Sequence, residues 1–199
     1  MGNHLLITLT FVVLLNGCID RTSPVIRSAK VTRYPNGNLH TLQEFIHDTI
    51  QDGVYVRYYE DVTAVEIEIS YSNNRKQGVQ MAYYRNGQLE SRVNFEAGHE
   101  EGEACWYHEN GARNSWVKYL HGRKQSPCLT YYDTGEPKAE IAYGDSNKVV
   151  YRIDYTKDGA AYKEGGQRPE KWDELVAQAH VLALAADTLS PTRPAQGVR

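Results

Sequence analysis

Tyr58, Tyr83, Tyr107, Tyr131 and Tyr155 recur at intervals of 24 or 25 residues, and Gly87, Gly111, Gly135 and Gly159 recur at intervals of 24. An internal period of this length dictates one supersecondary unit copied along the chain, because a unit so short cannot bury its own apolar face and must stack on its neighbours. The phase extends upstream. Asn36-Gly37 lies 50 residues before Gly87, and the unit between them is present in degenerate form as Tyr58-Tyr59-Glu60-Asp61-Val62, with Val62 where the glycine falls elsewhere. A second series, Gly53, Gly78 and Gly102, keeps the same phase and ends at Ser126.

Within each unit the local chemistry reads as a β-hairpin. Asn86-Gly87, Asn110-Gly111, Thr134-Gly135 and Asp158-Gly159 each follow an aromatic-rich extended run, and glycine accepts the positive φ of a tight turn. Before the turn, Val79, Met81 and Tyr83 alternate with Gln80, Ala82 and Tyr84. Cys105 and Tyr107, Leu129 and Tyr131, and Ile153 and Tyr155 continue the apolar phase. After the turn, Val93 and Phe95, Val117 and Tyr119, and Ile141 and Tyr143 supply the second strand. Phe45, Phe95, Tyr119 and Tyr143 share a late aromatic position, which Tyr71 joins if the second unit carries one extra residue as a bulge near Val62–Ala64. The expected fold class is mainly β: an elongated antiparallel sheet of stacked hairpins with one shared apolar stripe, followed by a C-terminal amphipathic α-helix. The 15 tyrosines against 3 phenylalanines fit half-exposed sheets, since a tyrosine keeps one end wet.

The Tyr83-Tyr84-Arg85-Asn86-Gly87 core at this period resembles the bacterial variant of the MORN repeat, and the chain is similar to the YwqK-like antitoxin family. The resemblance covers about residues 33–160, with His108, Thr134, Val62 and Thr156 as departures. It implies a repeat array that binds through a sheet face and performs no covalent chemistry. In its sharpest form it implies an immunity or antitoxin protein that neutralises a toxin delivered to the periplasm.

Leu5 to Leu15 is a mostly apolar run too short to span a bilayer and of the length of a signal-peptide core. It leads into Leu15-Asn16-Gly17-Cys18, which resembles a bacterial lipobox. The sulfur of Cys18 would take the diacylglyceryl group after cleavage before the cysteine, and the small Gly17 suits the peptidase. Asn16 and the absence of Lys or Arg from Met1 to His4 depart from the pattern, and an ordinary secretory signal is the alternative. Ile19, where Asp would signal retention at the inner membrane, points by resemblance to the outer membrane facing the periplasm. The expected organisation is a lipoprotein signal peptide over 1–17, a tether over 18–30, the repeat array over 31–162, a helix over 168–188 and a flexible tail over 189–199.

That helix follows from Trp172, Leu175, Val176, Ala179, Leu182, Ala183 and Ala186 at helical spacing after Pro169. It is the candidate cap for the open edge of the array, which would otherwise pair with other chains; a partner-binding or dimerising helix is the alternative. A mean hydropathy of −0.60 excludes a polytopic membrane protein, and a net charge of −3 excludes the basic face of a nucleic-acid binder. Residues 44–109 carry thirteen acidic and five basic side chains, a net −8 that would attract a basic partner.

Chemistry-bearing patterns are sparse. Cys105 occupies the core slot of Met81, Leu129 and Ile153, whereas Cys128 is one position out of phase, so the two thiols are expected not to pair. Cys105 and His108, three apart on a strand, fall on opposite faces and make no nucleophile–base pair. His99-Glu100-Glu101-Gly102-Glu103 reads as a solvated hairpin turn, not a metal site. No catalytic residue, metal or cofactor is expected, and the chain reads as a non-enzyme. The tentative binding residues are Tyr59, Tyr84, His108 and Tyr132, which with Tyr34 form a row of ring side chains opposite the Tyr58 set; cross-strand pairing within the sheet is the alternative. The expected partners are the membrane, through the lipid at Cys18, and a protein, either a toxin or an envelope complex, with no nucleic acid. A structural or assembly lipoprotein contacting peptidoglycan or an outer-membrane complex is the alternative role.

Overall fold

The computed structural model describes residues 7–12, 26–61 and 64–188. The readings placed on Cys18, on most of the signal segment, on Val62 and on the tail 189–199 lie outside the described residues. The chain divides into two compact units after Glu101. The first holds β1 (Ile7–Val12), β2 (Ile26–Arg33), β3 (Leu39–Ile46), β4 (Ile50–Tyr58), β5 (Val65–Ser72), the short β6 (Arg75–Lys76), β7 (Gly78–Tyr83) and β8 (Leu89–Glu96). The second holds β9 (His99–Tyr107), most of which lies beyond the division, then β10 (Arg113–Leu120), β11 (Arg123–Tyr131), β12 (Pro137–Tyr143), β13 (Val149–Tyr155), β14 (Ala161–Gly166) and α1 (Trp172–Thr188). Within each unit the strands pair antiparallel in an up-and-down meander, β5 pairing with both β6 and β7. The mainly β, antiparallel fold class is as the repeat dictates.

Part of the apolar run Leu5–Leu15 is the strand β1, whose residues Ile7 to Val12 lie opposite Val31 to Ile26 of β2. Residues 26–30, assigned to a tether from sequence, are strand, because β2 also pairs with β3 from Arg27↔Ile46 onward.

Two kinds of turn alternate along the array. At one end of the hairpins the loop has three residues. The Tyr84 N–H donates to the Gln88 carbonyl at 2.8 Å, and the Gly87 N–H donates to the Tyr84 carbonyl at 2.9 Å. Gly87 has φ +84 with nothing within 4 Å of an added Cβ, so glycine is required there for its conformation and not for space. The Asn86 side-chain oxygen accepts the Gln88 N–H at 2.9 Å, which is why asparagine precedes the glycine. The same backbone pair of bonds closes Tyr34–Asn38, His108–Ala112, Tyr132–Glu136 and Thr156–Ala160. At the other end sit two-residue turns, His47-Asp48, Asn73-Asn74, Ala97-Gly98 and His121-Gly122, with each residue at positive φ, except between β12 and β13, where Gly144–Lys148 closes with the three-residue pair of bonds. This corrects the reading of His99 to Glu103 as a turn: the reversal is complete at Gly98, and those residues belong to β9.

The degenerate unit keeps its register in a different way from that expected. The Tyr59 N–H donates to the Ala64 carbonyl at 3.1 Å, so the extra residue lengthens the loop and is not a strand bulge. Register shifts fall instead beside the tyrosine column, at Arg57/Tyr58, Ala82/Tyr83, Thr130/Tyr131 and Asp154/Tyr155. Gly53, at φ +114, has a steric need as well. A Cβ there would lie 2.0 Å from the Glu44 carboxylate oxygen that accepts the Val54 N–H at 2.8 Å.

The single apolar stripe expected from sequence is two stripes. Met81 lies opposite Arg92, and Val93 lies opposite Gln80. Residues directly opposite share a face, so in the first unit Met81 lies on one side of the strands and Ile69 and Val93 are buried on the other, and in the second unit Cys105, Leu129 and Ile153 line one side and Val117 and Ile141 are buried on the other. At β14 both stripes stop. Lys163, Gly165 and Gly166 stand where β12 has Ala139, Ile141 and Ala142, and every residue of β14 is exposed. This edge is blunted by its own composition, and α1 does not cap it. The helix packs on the face of the second unit that carries Cys105, Leu129 and Ile153, a correction to the edge-cap expectation. It starts at Trp172, later than Pro169, because Lys171 takes φ +54; the Lys171 carbonyl accepts the first helical N–H, from Leu175, at 3.0 Å. Trp172, Ala179, Ala183 and Ala186 are its buried stripe, whereas Leu182 is largely exposed.

Candidate functional site

The turn rings Tyr59, Tyr84, His108 and Tyr132 are all half-buried. Three of them, with Tyr34, are bonded across to the next repeat. The Tyr34 hydroxyl donates to the Tyr58 carbonyl at 2.8 Å, the Tyr59 hydroxyl to the Tyr83 carbonyl at 2.7 Å and the Tyr132 hydroxyl to the Tyr155 carbonyl at 2.7 Å. His108 fills the same place with Nε2 against the Tyr131 carbonyl at 3.1 Å. A carbonyl only accepts, so Nε2 carries the proton and Nδ1 is left to accept from the Asn114 amide at 3.3 Å. Cations stack on the rings: the Arg85 guanidinium lies 4.8 Å from Tyr59, and Lys138 and Lys157 lie 5.7 and 5.4 Å from Tyr132. Burial lifts the Tyr59 phenol above its ordinary range, with Glu66 and Glu90 adding to the effect. The geometry makes this row a set of pins between consecutive hairpins. Tyr132→Phe removes one pin and leaves a carbonyl without its donor, so it is expected to cost about 0.5–1.5 kcal/mol, read by urea unfolding.

Cys105 and Cys128 are buried free thiols, each pushed up to about 11 by burial. Cys105 lies opposite Trp116 of β10, which lies opposite Leu129 on its other side, so Cys128 faces the reverse of the sheet. A strand stands between the two thiols as well as the sheet itself, which no disulfide can bridge. Among the described residues no group of three or more His, Cys, Asp or Glu is arranged to hold a metal.

The face under α1 is the more elaborate arrangement. At its N-terminal end the Trp172 indole packs edge-on to Tyr151, centroids 5.3 Å apart, and donates from Nε1 to Glu140 at 3.0 Å. Glu140 also accepts the Tyr155 hydroxyl at 2.9 Å, and Tyr151 donates to Glu164 at 2.6 Å. Burial and the bonded carboxylate push the Tyr151 phenol up to about 12. Midway, the Tyr131 hydroxyl meets His180 Nδ1 at 3.2 Å, with the rings edge-on. At the C-terminal end Tyr107 donates to Asp187 at 3.1 Å, and the Arg113 guanidinium bonds both Asp187 and the Ala183 carbonyl while stacking on Tyr131 at 5.5 Å. Arg113 Nε and Trp116 Nε1 are buried without hydrogen-bond partners among the described residues. Sequence periodicity located the helix but not this face. The signal was the Tyr58-type column itself, read as sheet-stabilising pairs, of which the Tyr107 and Tyr131 hydroxyls turn to the helix.

Desolvation holds the His180 imidazole below its ordinary value, and the neighbouring Arg113 cation adds to this against the opposing pull of Glu140. The neutral form is therefore the docked form. The undocked chain takes up a proton first, so docking is at full strength above about pH 6.5 and weakens as the pH falls below that value. Trp172 fluorescence between pH 8 and 5 is expected to report this loosening in the parent and to lose that pH dependence in His180→Gln.

The model of the MORN repeat variant matches residues 76–97, which run from β6 through the Tyr84–Gln88 turn to the Ala97 turn. The match supports a MORN-variant repeat protein. No curated protein matches the chain.

Proposed function

We propose that this chain is a lipid-anchored protein of the bacterial cell envelope whose repeat array is a non-catalytic protein-binding scaffold, acting as an immunity protein against a toxin. A MORN repeat suggests a scaffold of this kind, and the matched repeat at residues 76–97 is the observation that carries the reading. The side chains with catalytic potential support it. Cys105 is buried and protonated at neutral pH, and His108 is bonded to the Tyr131 carbonyl and Asn114. The net −8 over residues 44–109 favours a basic partner surface, so binding should weaken with salt. The anchor rests on Cys18 in its lipobox-like setting.

Two measurements test the reading. Palmitate labelling in a bacterial host should mark the parent and not Cys18→Ser. The chain used as bait in an envelope extract should retain a basic protein at 0.1 M salt and release most of it at 0.5 M. Retention of peptidoglycan or of a resident outer-membrane complex in its place would replace the immunity role with an assembly role.

A further inference from the structure

The β10–β11 turn and the β12–β13 loop of the second unit enclose a half-open cleft of about 480 Å³, lined by Leu120, His121, Arg123, Gln125 and Asp145. Its size falls in the range of small-ligand sites, roughly 300–1,000 Å³. The cleft lies where the array departs from its own rule. The turns at this end have two residues, His121-Gly122 among them, whereas the Gly144 N–H donates to the Lys148 carbonyl at 2.9 Å and the Asn147 N–H to the Gly144 carbonyl at 3.0 Å, which makes this loop one residue longer. The longer loop carries Asp145. Asn147, at φ +58, fastens it to the neighbouring turn: its Oδ1 accepts the Lys124 N–H at 2.9 Å, and its Nδ2 donates to the Gly122 carbonyl at 3.4 Å. The two walls of the cleft are therefore held to each other before any ligand arrives, which lowers the cost of binding.

Leu120 lies directly opposite Arg123, so the two share a face, which Gln125 joins two residues on. The Gln125 amide donates to the Arg123 carbonyl at 3.1 Å, which leaves its oxygen to accept from a ligand. Leu120 is 48% exposed and gives the wall an apolar surface. Among the described residues neither the Arg123 guanidinium nor the Asp145 carboxylate has a hydrogen-bond or ion-pair partner, although both line the one cleft. Elsewhere in this unit opposite charges brought together do pair, as Arg152 with Asp154 and Lys157 with Asp133. A cation and an anion held in one cleft and kept apart make a site with two poles, each open to a charge-assisted hydrogen bond.

We propose that this cleft binds a zwitterionic short peptide, a dipeptide or tripeptide with both ends free. The carboxylate end meets the Arg123 guanidinium, the ammonium end meets Asp145, the Gln125 oxygen takes a peptide N–H, and a small apolar side chain lies on Leu120. The lengths agree. Arg123 is on β11 and Asp145 just beyond the end of β12, its neighbour in the sheet. Neighbouring strands are about 4.8 Å apart, and an extended dipeptide spans about 7 Å. The proposal concerns the cleft alone and does not depend on the scaffold reading.

The probe is L-alanyl-L-alanine, titrated into the isotope-labelled full chain while the backbone amide shifts are read by NMR. Saturable movement of the Gly122, Gln125 and Asp145 amides is expected, with a Kd of about 1 mM or below. N-acetylation or C-terminal amidation of the peptide should each weaken binding about tenfold. The blocked ends identify their partners. In Asp145→Asn the free and N-acetylated peptides should bind alike, while amidation still weakens binding about tenfold. In Arg123→Gln the free and amidated peptides should bind alike, while acetylation still weakens binding about tenfold. Both substitutions replace exposed side chains, so the fold is retained. Absence of saturable shifts, shifts centred on other residues, or blocked peptides that bind the parent as well as the free one would overturn the proposal. So would variants that weaken all three peptides equally, because the two charges would then not be the poles of the site.

Discussion

Trp172→Ala is expected to lower the stability of the second unit by about 3–5 kcal/mol, the range for deleting a large buried aromatic side chain. Trp172 is 2% exposed and belongs to a cluster with Ala142, Tyr151 and Ile153, against which Tyr155 and Val176 pack. Alanine would leave a void under the first turn of α1 and withdraw the indole N–H from Glu140, whose remaining donor is the Tyr155 hydroxyl. The rest of the buried helical stripe is alanine, which offers little apolar area to hold the helix in place. Loss of the one large anchor should therefore free the helix and not merely loosen it. Urea unfolding followed by far-UV circular dichroism would show an early loss of helical signal, with the strands melting later. A shift below about 1 kcal/mol would mean that the indole contributes little to docking.

The second large effect is at the opposite end of the helix. Arg113 has a side chain only 9% exposed, paired with Asp187 and bonded to the Ala183 carbonyl. Removing one partner of a buried pair leaves the other without compensation; because Asp187 is 42% exposed and can rehydrate, the expected cost of Arg113→Ala is about 2–3 kcal/mol, below the range for a fully buried pair. The double change Arg113→Met with Asp187→Leu should recover much of that, since an apolar pair needs no desolvation of charge. A double-mutant cycle with additive costs would show that the pair is not coupled.

The sequence displayed the array clearly because its signals are local. Glycine at positive φ in the three-residue loop and asparagine bonded to the backbone two residues on mark every Asn-Gly turn, and tyrosine every 24 or 25 residues sets the phase. The two-residue turns were harder to read, since His47-Asp48 and Asn73-Asn74 reach positive φ without glycine. The two faces were merged into one stripe because strand alternation alone does not say which residue of the next strand stands opposite. That register depends on loop length, and it places Gln80, not Met81, against Val93. The turn tyrosines looked like a displayed row because their hydroxyl acceptors are carbonyls of the following repeat, 23 or 24 residues away, which no local pattern reveals. The position of α1 was equally hidden. Its bonds to Tyr107 and Tyr131 span 80 and 49 residues, and its larger apolar side chains, Val181 and Leu184, point outward while alanines point in.

The two buried cysteines offer a direct test that α1 covers one face of a repeat sheet, because they sit on opposite faces of it. Iodoacetamide labelling, resolved by peptide mapping, should be slow at both Cys105 and Cys128 in the parent at pH 8. In Arg113→Ala, which loosens the end of α1 nearest Tyr107, labelling of Cys105 should accelerate at least about tenfold while Cys128 stays slow. Equal acceleration at both thiols, or rapid labelling of Cys105 in the parent, would contradict a helix seated on that face.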